Sequence, residues 1–248
     1  MDSFIHSSAD IPPGTAIGDF CVIGENVKIG IGCNIANHVV IYSGSILGDN
    51  ISIQDHSVIG KPPIKSVRSA VRLGDDSPDP VKIGAGTTIG AHVIIYNQSE
   101  IGEAVLIADT AVVRERVKIG SETIVGRLVT IENDTSIGKR TKLETDCYIT
   151  AYSEIGNDCF IAPKVMTSND NFLGRTKERF KHFKGVTVGD GGRIGVGAVI
   201  LPGIVIGEEG VVAAGSVVTK DVASKALVMG SPARFLRNVP PNQWVENQ

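Results

Sequence analysis

An aliphatic residue recurs at every sixth position through most of the chain, and this period constrains the fold more than any other feature. An α-helix repeats a face every 3.6 residues and a simple strand every 2, so neither explains an unbroken period of six. We call these residues the nodes of the repeat. The longest run of nodes is Ile83, Ile89, Ile95, Ile101, Ile107, Val113, Ile119, Val125, Ile131, Ile137, Leu143, Ile149, Ile155 and Ile161.

Two further runs of nodes flank the long one, from Ile5 to Ile59 and from Val188 to Val218. Many nodes are followed directly by glycine, as in Ile83-Gly84, and a small residue such as Thr87 comes four positions after the node. Glycine accounts for 29 of the 248 residues and aromatic residues for only 5%. This combination is the hexapeptide signature of a parallel β-helix, in which each repeat is one short strand and a turn.

The nodal pattern resembles the left-handed β-helix acyltransferases, a superfamily built from hexapeptide repeats in which three repeats form one triangular coil. The resemblance implies an all-β fold: a left-handed parallel β-helix of about ten triangular coils with two extruded loops and a short C-terminal cap. We therefore expect a β-helical domain over residues 1–228, interrupted by loops at 60–82 and 168–187, and a cap over residues 229–248.

A triangular coil has three faces, which we name by their nodes. Face A holds Ile5 and every third node after it, and faces B and C follow in sequence. If the first loop occupies one turn, Ile83 lies on face B and Thr167 on face A. Both loops then leave the corner that follows face A, about five coils apart, so one corner carries the irregular surface.

Charge and hydropathy exclude several classes of protein. The formal net charge is −3 and no long basic run occurs, which argues against a nucleic-acid partner. Residues 1–20 lack the basic and apolar regions of a secretory signal, and no uninterrupted apolar span is long enough to cross a membrane. These features predict a soluble cytoplasmic protein.

The four cysteines share one position in the repeat, four residues after a node. This is the small slot that faces the interior, so we expect buried free thiols that behave as small hydrophobic side chains. A disulfide or a zinc site is the weaker alternative. The four residues are Cys21, Cys33, Cys147 and Cys159.

Three histidines fall in one column, each three residues after a face C node. They could line an interface between subunits, act as general bases, or bind a metal ion. Gamma-class carbonic anhydrases, which share the fold, bind zinc between subunits with three histidines, and two of these ligands form a close pair on one coil. No coil of this sequence has such a pair. We therefore expect no metal ion. The column runs His38, His56, His92, Thr110, Leu128, Asp146, Lys164, Gly197 and Gly215.

Residues 143–171 resemble the acetyl-CoA-dependent N-acetyltransferases that act on amino sugars of nucleotide-linked sugars. That family combines a coil of the pattern aliphatic-polar-polar-Asn with a Thr-Asn element that opens a long loop. The corresponding segments here are Leu143-Glu144-Thr145-Asp146 and Thr167-Ser168-Asn169-Asp170-Asn171. The family's Asn is replaced by Asp146 and Ser168 interrupts the Thr-Asn pair, so the identity of the acceptor stays open.

The resemblance implies roles for these residues. Asp146 is the first candidate for the catalytic base, with His92 and Glu144 as further candidates, since a base must take a proton from the attacking amine. Asn169, Asp170 and Asn171 are expected to bind the acceptor from the loop. A solvated corner is the alternative explanation for Glu144 and Asp146.

The last nodes are surrounded by small residues and followed by basic ones. In the family, such a surface holds the pantetheine arm of coenzyme A, and basic side chains are suited to its phosphates. The alternative is that these are ordinary turn residues and a solvated basic cap. The expected coenzyme-binding residues are Gly197, Ala198, Ala213, Ala214, Gly215, Lys220, Arg234 and Arg237.

The sequence thus predicts a homotrimeric, acyl-CoA-dependent transferase, with direct attack of an amine of a nucleotide-linked sugar on the thioester. A hydroxyl acceptor, on a sugar or a small molecule, is the alternative within enzymes. A non-catalytic β-helical scaffold is the alternative outside them, and a gamma-type carbonic anhydrase is the remotest. The sugar, the nucleotide, the acyl group and the role of the 60–82 loop remain open.

Overall fold

The computed structural model describes residues 2–64 and 79–248, and short strands stacked in parallel dominate both parts. Most strands are two residues long, with an outward-facing residue followed by a buried node. Each strand hydrogen-bonds to the strand one coil before and one coil after it, which produces three sheets of 11, 9 and 12 strands over the described residues. A prism with one sheet on each of three faces follows.

The three sheets correspond to the three predicted faces. Face A contains Phe4–Ile5, Val22–Ile23, Val40–Ile41, Val58–Lys61, Ile94–Tyr96, Val112–Val113, Thr130–Ile131, Tyr148–Ile149, Met166–Thr167, Val199–Ile200 and Val217–Val218. Face B contains Lys28–Ile29, Ile46–Leu47, Lys82–Ile83, Glu100–Ile101, Lys118–Ile119, Ser136–Ile137, Glu154–Ile155, Thr187–Val188 and Val205–Ile206. Face C contains Ala16–Ile17, Asn34–Ile35, Ser52–Ile53, Thr88–Ile89, Leu106–Ile107, Ile124–Val125, Lys142–Leu143, Phe160–Ile161, Arg193–Ile194, Val211–Val212, Ala226–Gly230 and Ala233–Asn238.

The pairing register confirms the predicted face assignment across both loops. Ile83 pairs with Leu47 on face B, and Thr167 pairs with Ile200 on face A. Both loops therefore leave the corner between faces A and B, separated by five coils in the order of strands. Residues 65–78 of the first loop lie outside the described part of the chain; the second loop contains a 3₁₀-helix at Glu178–Lys181.

The nodes form the core. Ile23, Ile41, Ile95 and Ile131 are completely buried, and the interior between the faces is filled by branched aliphatic side chains. The first three nodes are less completely buried, and Ile5 has 44% of its surface exposed, because coils pack against them on one side only. Burial of apolar surface stabilises the fold by roughly 25 cal/mol per Å², and each inner node receives this contribution from the coils on both sides.

The corners explain the glycines and the left-handed backbone positions. The residue three places after a node adopts positive φ in coil after coil, as at His38 (58°), Asp146 (64°) and Gly197 (67°). Glycine is required directly after many nodes for another reason, the close approach of the next coil. A Cβ at Gly84 would lie 2.5 Å from the carbonyl carbon of Gly102 in that coil. Successive coils approach too closely there for any side chain.

The C-terminal segment ends the parallel stack. Ala226–Gly230 adds one more parallel strand beside Val211–Val212, and the chain then turns back as the antiparallel strand Ala233–Asn238. Two 3₁₀-helices follow, at Pro241–Gln243 and Val245–Asn247. The predicted boundary at residue 228 falls inside the last parallel strand. None of the helices in the described residues is long and apolar enough to cross a membrane.

The four cysteines are buried free thiols, as predicted from their position in the repeat. Each donates to a main-chain carbonyl of the next coil, such as Cys147 Sγ to the oxygen of Ala162 at 3.0 Å. Burial raises the pKa of Cys147 to about 11 and that of Cys159 to about 12. Thr123 and Thr141 make the same contact from the same slot, which shows that this position favours a small hydrogen-bond donor.

The burial of the thiols predicts their chemical behaviour. Because the thiolate is the reactive form, the folded protein should react with an aromatic disulfide reagent at pH 8 far more slowly than free cysteine does. After denaturation all four thiols should react at once. Rapid reaction of even one thiol in the folded protein would contradict the burial of the four cysteines.

Candidate functional site

The structure divides the residues predicted for the site between two corners of the prism. Asp146, His92, Gly197 and Gly215 occupy the column on the corner between faces C and A, and Glu144 begins the same corner directly after its node. The acceptor-binding residues predicted from the loop lie on the corner between faces A and B. A single protomer therefore does not bring the predicted base and the predicted acceptor loop together.

The histidine column is a continuous ring stack. Ring centroids are 4.6 Å apart for His38 and His56 and 4.8 Å apart for His56 and His92, with planes within 7° of parallel. Phe20, which the sequence analysis missed, extends the stack to four rings. Ring nitrogens bind metals in the ring plane, so parallel stacked rings do not converge on one ion. Residues 2–64 and 79–248 contain no group of three or more His, Cys, Asp or Glu side chains that could hold a metal ion.

The carboxylate of Asp146 lies at the surface. Its Oδ2 is 3.5 Å from Nζ of Lys164, the next residue in the column, and the Asp146 side chain is 41% exposed. Its backbone N–H donates to the oxygen of Arg127 in the preceding coil, which fixes the corner. Asp146 is thus accessible to a molecule that approaches along the edge between faces C and A.

The predicted coenzyme surface is open at its glycines. A Cβ at Gly197 or Gly215 would meet no atom within 4 Å, so both corners face free space. Ala214 is exposed and Ala213 half-buried, whereas Ala198 is completely buried and belongs to the core. The small inward slot four residues after Ile194 accounts for the burial of Ala198.

The predicted phosphate-binding residues are only partly assembled. Lys220 and Arg234 line one cavity of about 270 Å³ between the last coil and the antiparallel strand. Arg237 lies on the same strand but outside that cavity, where its Nη1 donates to the oxygen of Asn238. The structure therefore groups two of the three basic residues.

A polar cleft of about 290 Å³ lies on the other corner, beneath the second loop. Asn169 and Asp170 are part of its wall, whereas Asn171 is exposed beyond it. The wall continues along this corner over three coils, and Tyr148 contributes to it from a face A strand. Its residues are Arg114, Glu132, Asn133, Tyr148, Thr150, Ala151, Tyr152, Asn169, Asp170, Arg179 and Phe183.

Asp170 organises the loop above the cleft. Its carboxylate accepts hydrogen bonds from the backbone N–H groups of Phe172 and Gly174, and from Nη1 of Arg179 at 2.9 Å. Burial acts to raise the pKa of Asp170, but these hydrogen bonds outweigh it and the pKa is lowered. The Arg179 guanidinium also lies over the rings of Phe180 and Phe183, so the loop is packed around this pair.

Two further ion pairs lie next to the cleft, and of their four residues only Arg114 lines it. Glu115 is completely buried and receives two hydrogen bonds from Arg114, with Nε at 2.9 Å and Nη2 at 3.3 Å. Arg116 makes a two-point contact with Asp134, at 2.6 and 2.8 Å. Planar guanidinium groups suit such paired contacts with carboxylates. Each of these arginines is therefore already engaged with a carboxylate.

Glu132 has a different environment. Its Oε2 is 3.6 Å from Nη1 of Arg114, beyond ordinary hydrogen-bond length. Burial raises the pKa of Glu132, and the charge of Arg114 does not cancel this effect. The Tyr148 hydroxyl and the backbone N–H of Asn133 act to lower the pKa of Glu132. Burial and the neighbouring Glu132 charge also raise the pKa of Tyr148.

The sequence analysis missed these charged residues next to the cleft, although the sequence contains a signal for them. Two successive face A nodes are followed by polar triplets, Arg114-Glu115-Arg116 after Val113 and Glu132-Asn133-Asp134 after Ile131. Both triplets lie on the corner from which the loops were predicted to leave. The shared corner was therefore recognisable from the register, but the pairing of its charges was not.

The comparisons with known proteins fit this architecture. No family model matches the chain. The chain is 37% identical over 97 residues to an acyl-[acyl-carrier-protein]--UDP-N-acetylglucosamine O-acyltransferase of Thermodesulfovibrio yellowstonii, covering 39% of this chain and 35% of the relative. It is 52% identical over 46 residues to a 2,3,4,5-tetrahydropyridine-2,6-dicarboxylate N-acetyltransferase of Clostridium perfringens, covering 18% of this chain and 20% of the relative.

A solved structure matches over nearly the whole chain. The Arabidopsis UDP-N-acetylglucosamine acyltransferase superimposes with a TM-score of 0.52 at 20% identity, covering 97% of this chain and 75% of that one. At this identity the match establishes the fold, a left-handed parallel β-helix. The chain is therefore similar in fold to the hexapeptide-repeat acyltransferases with a left-handed β-helix, and short segments of its sequence match acyltransferases. It spans about a third or less of the two matched relatives in sequence.

The buried ion pair under the cleft predicts a local sensitivity to mutation. Glu115→Gln removes a fully buried charge and leaves the Arg114 and Arg116 guanidinium groups without it, so stability should fall by about 3 kcal/mol. Asp158→Asn is the matched control, because its partner Arg140 is half exposed and such pairs contribute less than about 1 kcal/mol. Thermal unfolding followed by circular dichroism tests this, and equal shifts for both variants would contradict it.

Proposed function

We propose that the protein transfers an acyl group from an acyl-CoA thioester to an amine of a nucleotide-linked sugar. The two matched relatives are named as an O-acyltransferase and an N-acetyltransferase, which supports acyl transfer as the reaction class. The observation that carries the proposal is the cleft beneath the second loop, where Asn169 and Asp170 lie beside buried polar side chains. Such a concave, mixed polar and aromatic site suits a small polar acceptor.

The donor side of the reaction is assigned to the open corner between faces C and A. Gly197 and Gly215 leave backbone groups accessible to an extended pantetheine arm, and Lys220 and Arg234 offer two positive charges in one cavity for phosphate groups. Coenzyme A supplies an activated thioester when bound. The residues present fit that ligand at both ends: small corners for the arm and cations for the phosphates.

The two halves of the site lie on different corners, and this supports an oligomer. If the corner between faces A and B of one protomer meets the corner between faces C and A of its neighbour, acceptor and donor come together between subunits. A homotrimer repeats this contact three times with closed symmetry. The proposal therefore includes a trimer with its acceptor cleft and coenzyme surface contributed by different protomers.

In the proposed mechanism, the protonated substrate amine first loses one proton, and the neutral amine then attacks the thioester carbonyl. Asp146 accepts that proton, and the nitrogen keeps its electron pair for the new C–N bond. A backbone N–H at the corner stabilises the oxyanion that forms. When the C–S bond breaks, the departing thiolate takes the second proton of the amine. His92, in the same column, is the second candidate for the base.

A hydroxyl acceptor remains the second candidate reaction. The Thermodesulfovibrio yellowstonii relative is named as an O-acyltransferase that uses an acyl carrier protein as donor. That name favours testing acyl-carrier-protein thioesters and hydroxyl acceptors beside acetyl-CoA and amines.

Coenzyme binding gives the first test. Calorimetric titration with acetyl-CoA should show micromolar affinity, in a sample whose molar mass by light scattering is that of a trimer. The Lys220→Ala, Arg234→Ala double variant should bind about tenfold or more weakly, because charge-assisted contacts are lost. Lys28→Ala, Lys118→Ala is the control, since both lysines are exposed on face B. If the folded trimer did not bind acetyl-CoA, the proposed acyl transfer from coenzyme A would be wrong.

The assignment of the base gives the second test. Asp146→Asn should lower turnover by roughly 10²–10⁴-fold, the usual contribution of a general base. The affinity for acetyl-CoA should change little, because Asp146 lies two coils from Gly197 in the column of corners. Release of free coenzyme thiol, followed with a chromogenic reagent, measures the rate. Unchanged turnover would remove Asp146 as the base and leave the transferase proposal intact.

A further inference from the structure

The charges around the cleft beneath the second loop do not balance. The described residues that line the cleft, together with the ion pairs next to them, contain three guanidinium groups, of Arg114, Arg116 and Arg179, and four carboxylates. Three carboxylates have a close partner: Glu115 with Arg114, Asp134 with Arg116, and Asp170 with Arg179, at 2.9, 2.6 and 2.9 Å. The fourth, Glu132, is left with a contact of 3.6 Å to an arginine that is already paired.

The position of Glu132 makes this excess charge available to a ligand. Glu132 and Tyr148 both belong to the wall of the cleft, on neighbouring coils of face A. An ionised carboxylate offers about four acceptor sites, and within the protein the Glu132 carboxylate interacts with the Tyr148 hydroxyl and the Asn133 N–H. The remaining acceptor capacity borders the space that the proposed acceptor would occupy.

The protein does not fully compensate the negative charge of the partly buried Glu132 carboxylate. The Glu132 side chain is 20% exposed, and burial raises its pKa in spite of Arg114. A carboxylate in such a site gains most from a cation that enters the cleft, because electrostatic interactions are stronger where water is partly excluded. A neutral hydroxyl group in the same place would leave the negative charge uncompensated.

We propose that Glu132 is the specificity-determining residue of the acceptor site, which binds the substrate as a protonated primary amine and thereby selects amines over hydroxyls. The inference rests on the proposed acyl transfer and decides which acceptor class the cleft takes. The ammonium group lies between Glu132 and Tyr148 and displaces no existing ion pair. Its proton then passes to the base, as described above, before the nitrogen attacks.

The test compares two sugars that differ only in this group. Binding of D-glucosamine and of D-glucose is measured by ligand-detected NMR titration in neutral solution, which avoids any assumption about the nucleotide. The wild-type protein should prefer glucosamine by about tenfold, as expected for one charge-assisted hydrogen bond. Glu132→Gln should reduce the preference to less than about threefold. Glu154→Gln, an exposed carboxylate on face B, should retain it.

The folded state of the variant is checked in the same series. Because the pKa of Glu132 is raised on folding, its stabilising contribution is present only below its unfolded pKa and is lost as the pH rises through the folded pKa. At neutral pH the Gln variant should therefore unfold at no lower a temperature than wild type. Glu132→Asp, which keeps the charge but withdraws it by one methylene, should show an intermediate preference.

The outcomes separate this inference from the proposed function. Equal binding of both sugars by the wild-type protein, or no binding of either, overturns the role of Glu132. The affinity of the same sample for acetyl-CoA then tests the proposed acyl transfer separately. Retention of the full preference in the folded Glu132→Gln variant overturns it as well. Loss of the preference in Glu132→Gln alone supports it.

Discussion

The close stacking of successive coils through parallel backbone hydrogen bonds is the constraint on which the rest of the structure depends. Strands in a sheet lie about 4.8 Å apart, so each residue of one coil sits directly above its counterpart in the next, as Ile149 does above Ile131. The glycine that follows many nodes is a consequence, since a Cβ at Gly84 would collide with the backbone of the next coil. The buried slot that holds Cys147 or Thr123 is another, because its side chain must reach a carbonyl of the adjacent coil.

This stacking converts position in the repeat into position in space, and it made much of the fold predictable. The nodes fix the three faces, and the face assignment holds across both loops because a loop that leaves and re-enters at one corner does not shift the register. The histidine column and the buried thiols follow from the same rule. Phe20 belongs to that ring column by the same count, since it lies three residues after the node Ile17.

The sequence was less informative where contacts are not governed by the repeat. The antiparallel strand Ala233–Asn238 comes after the period has ended, so nothing in the nodal pattern indicates it. Ala198 was assigned to the coenzyme surface by its neighbours, although its place four residues after a node puts it in the core. The cleft depends on which carboxylate each arginine reaches, and rotamer choices on stacked corners are not set by a six-residue period.

The site also differs energetically from the scaffold that carries it. Along the inner column, each added coil buries more aliphatic surface and completes another set of backbone hydrogen bonds, so identical steps reinforce one another. The corner between faces A and B departs from this pattern of apolar burial. It contains a buried Glu115 and a Glu132 whose ionised form is disfavoured by burial. A rigid repeat tolerates such a corner because neighbouring coils fix its backbone regardless of the side chains. A polar corner and a loop anchored by Asp170 can therefore form a site without weakening the register around them.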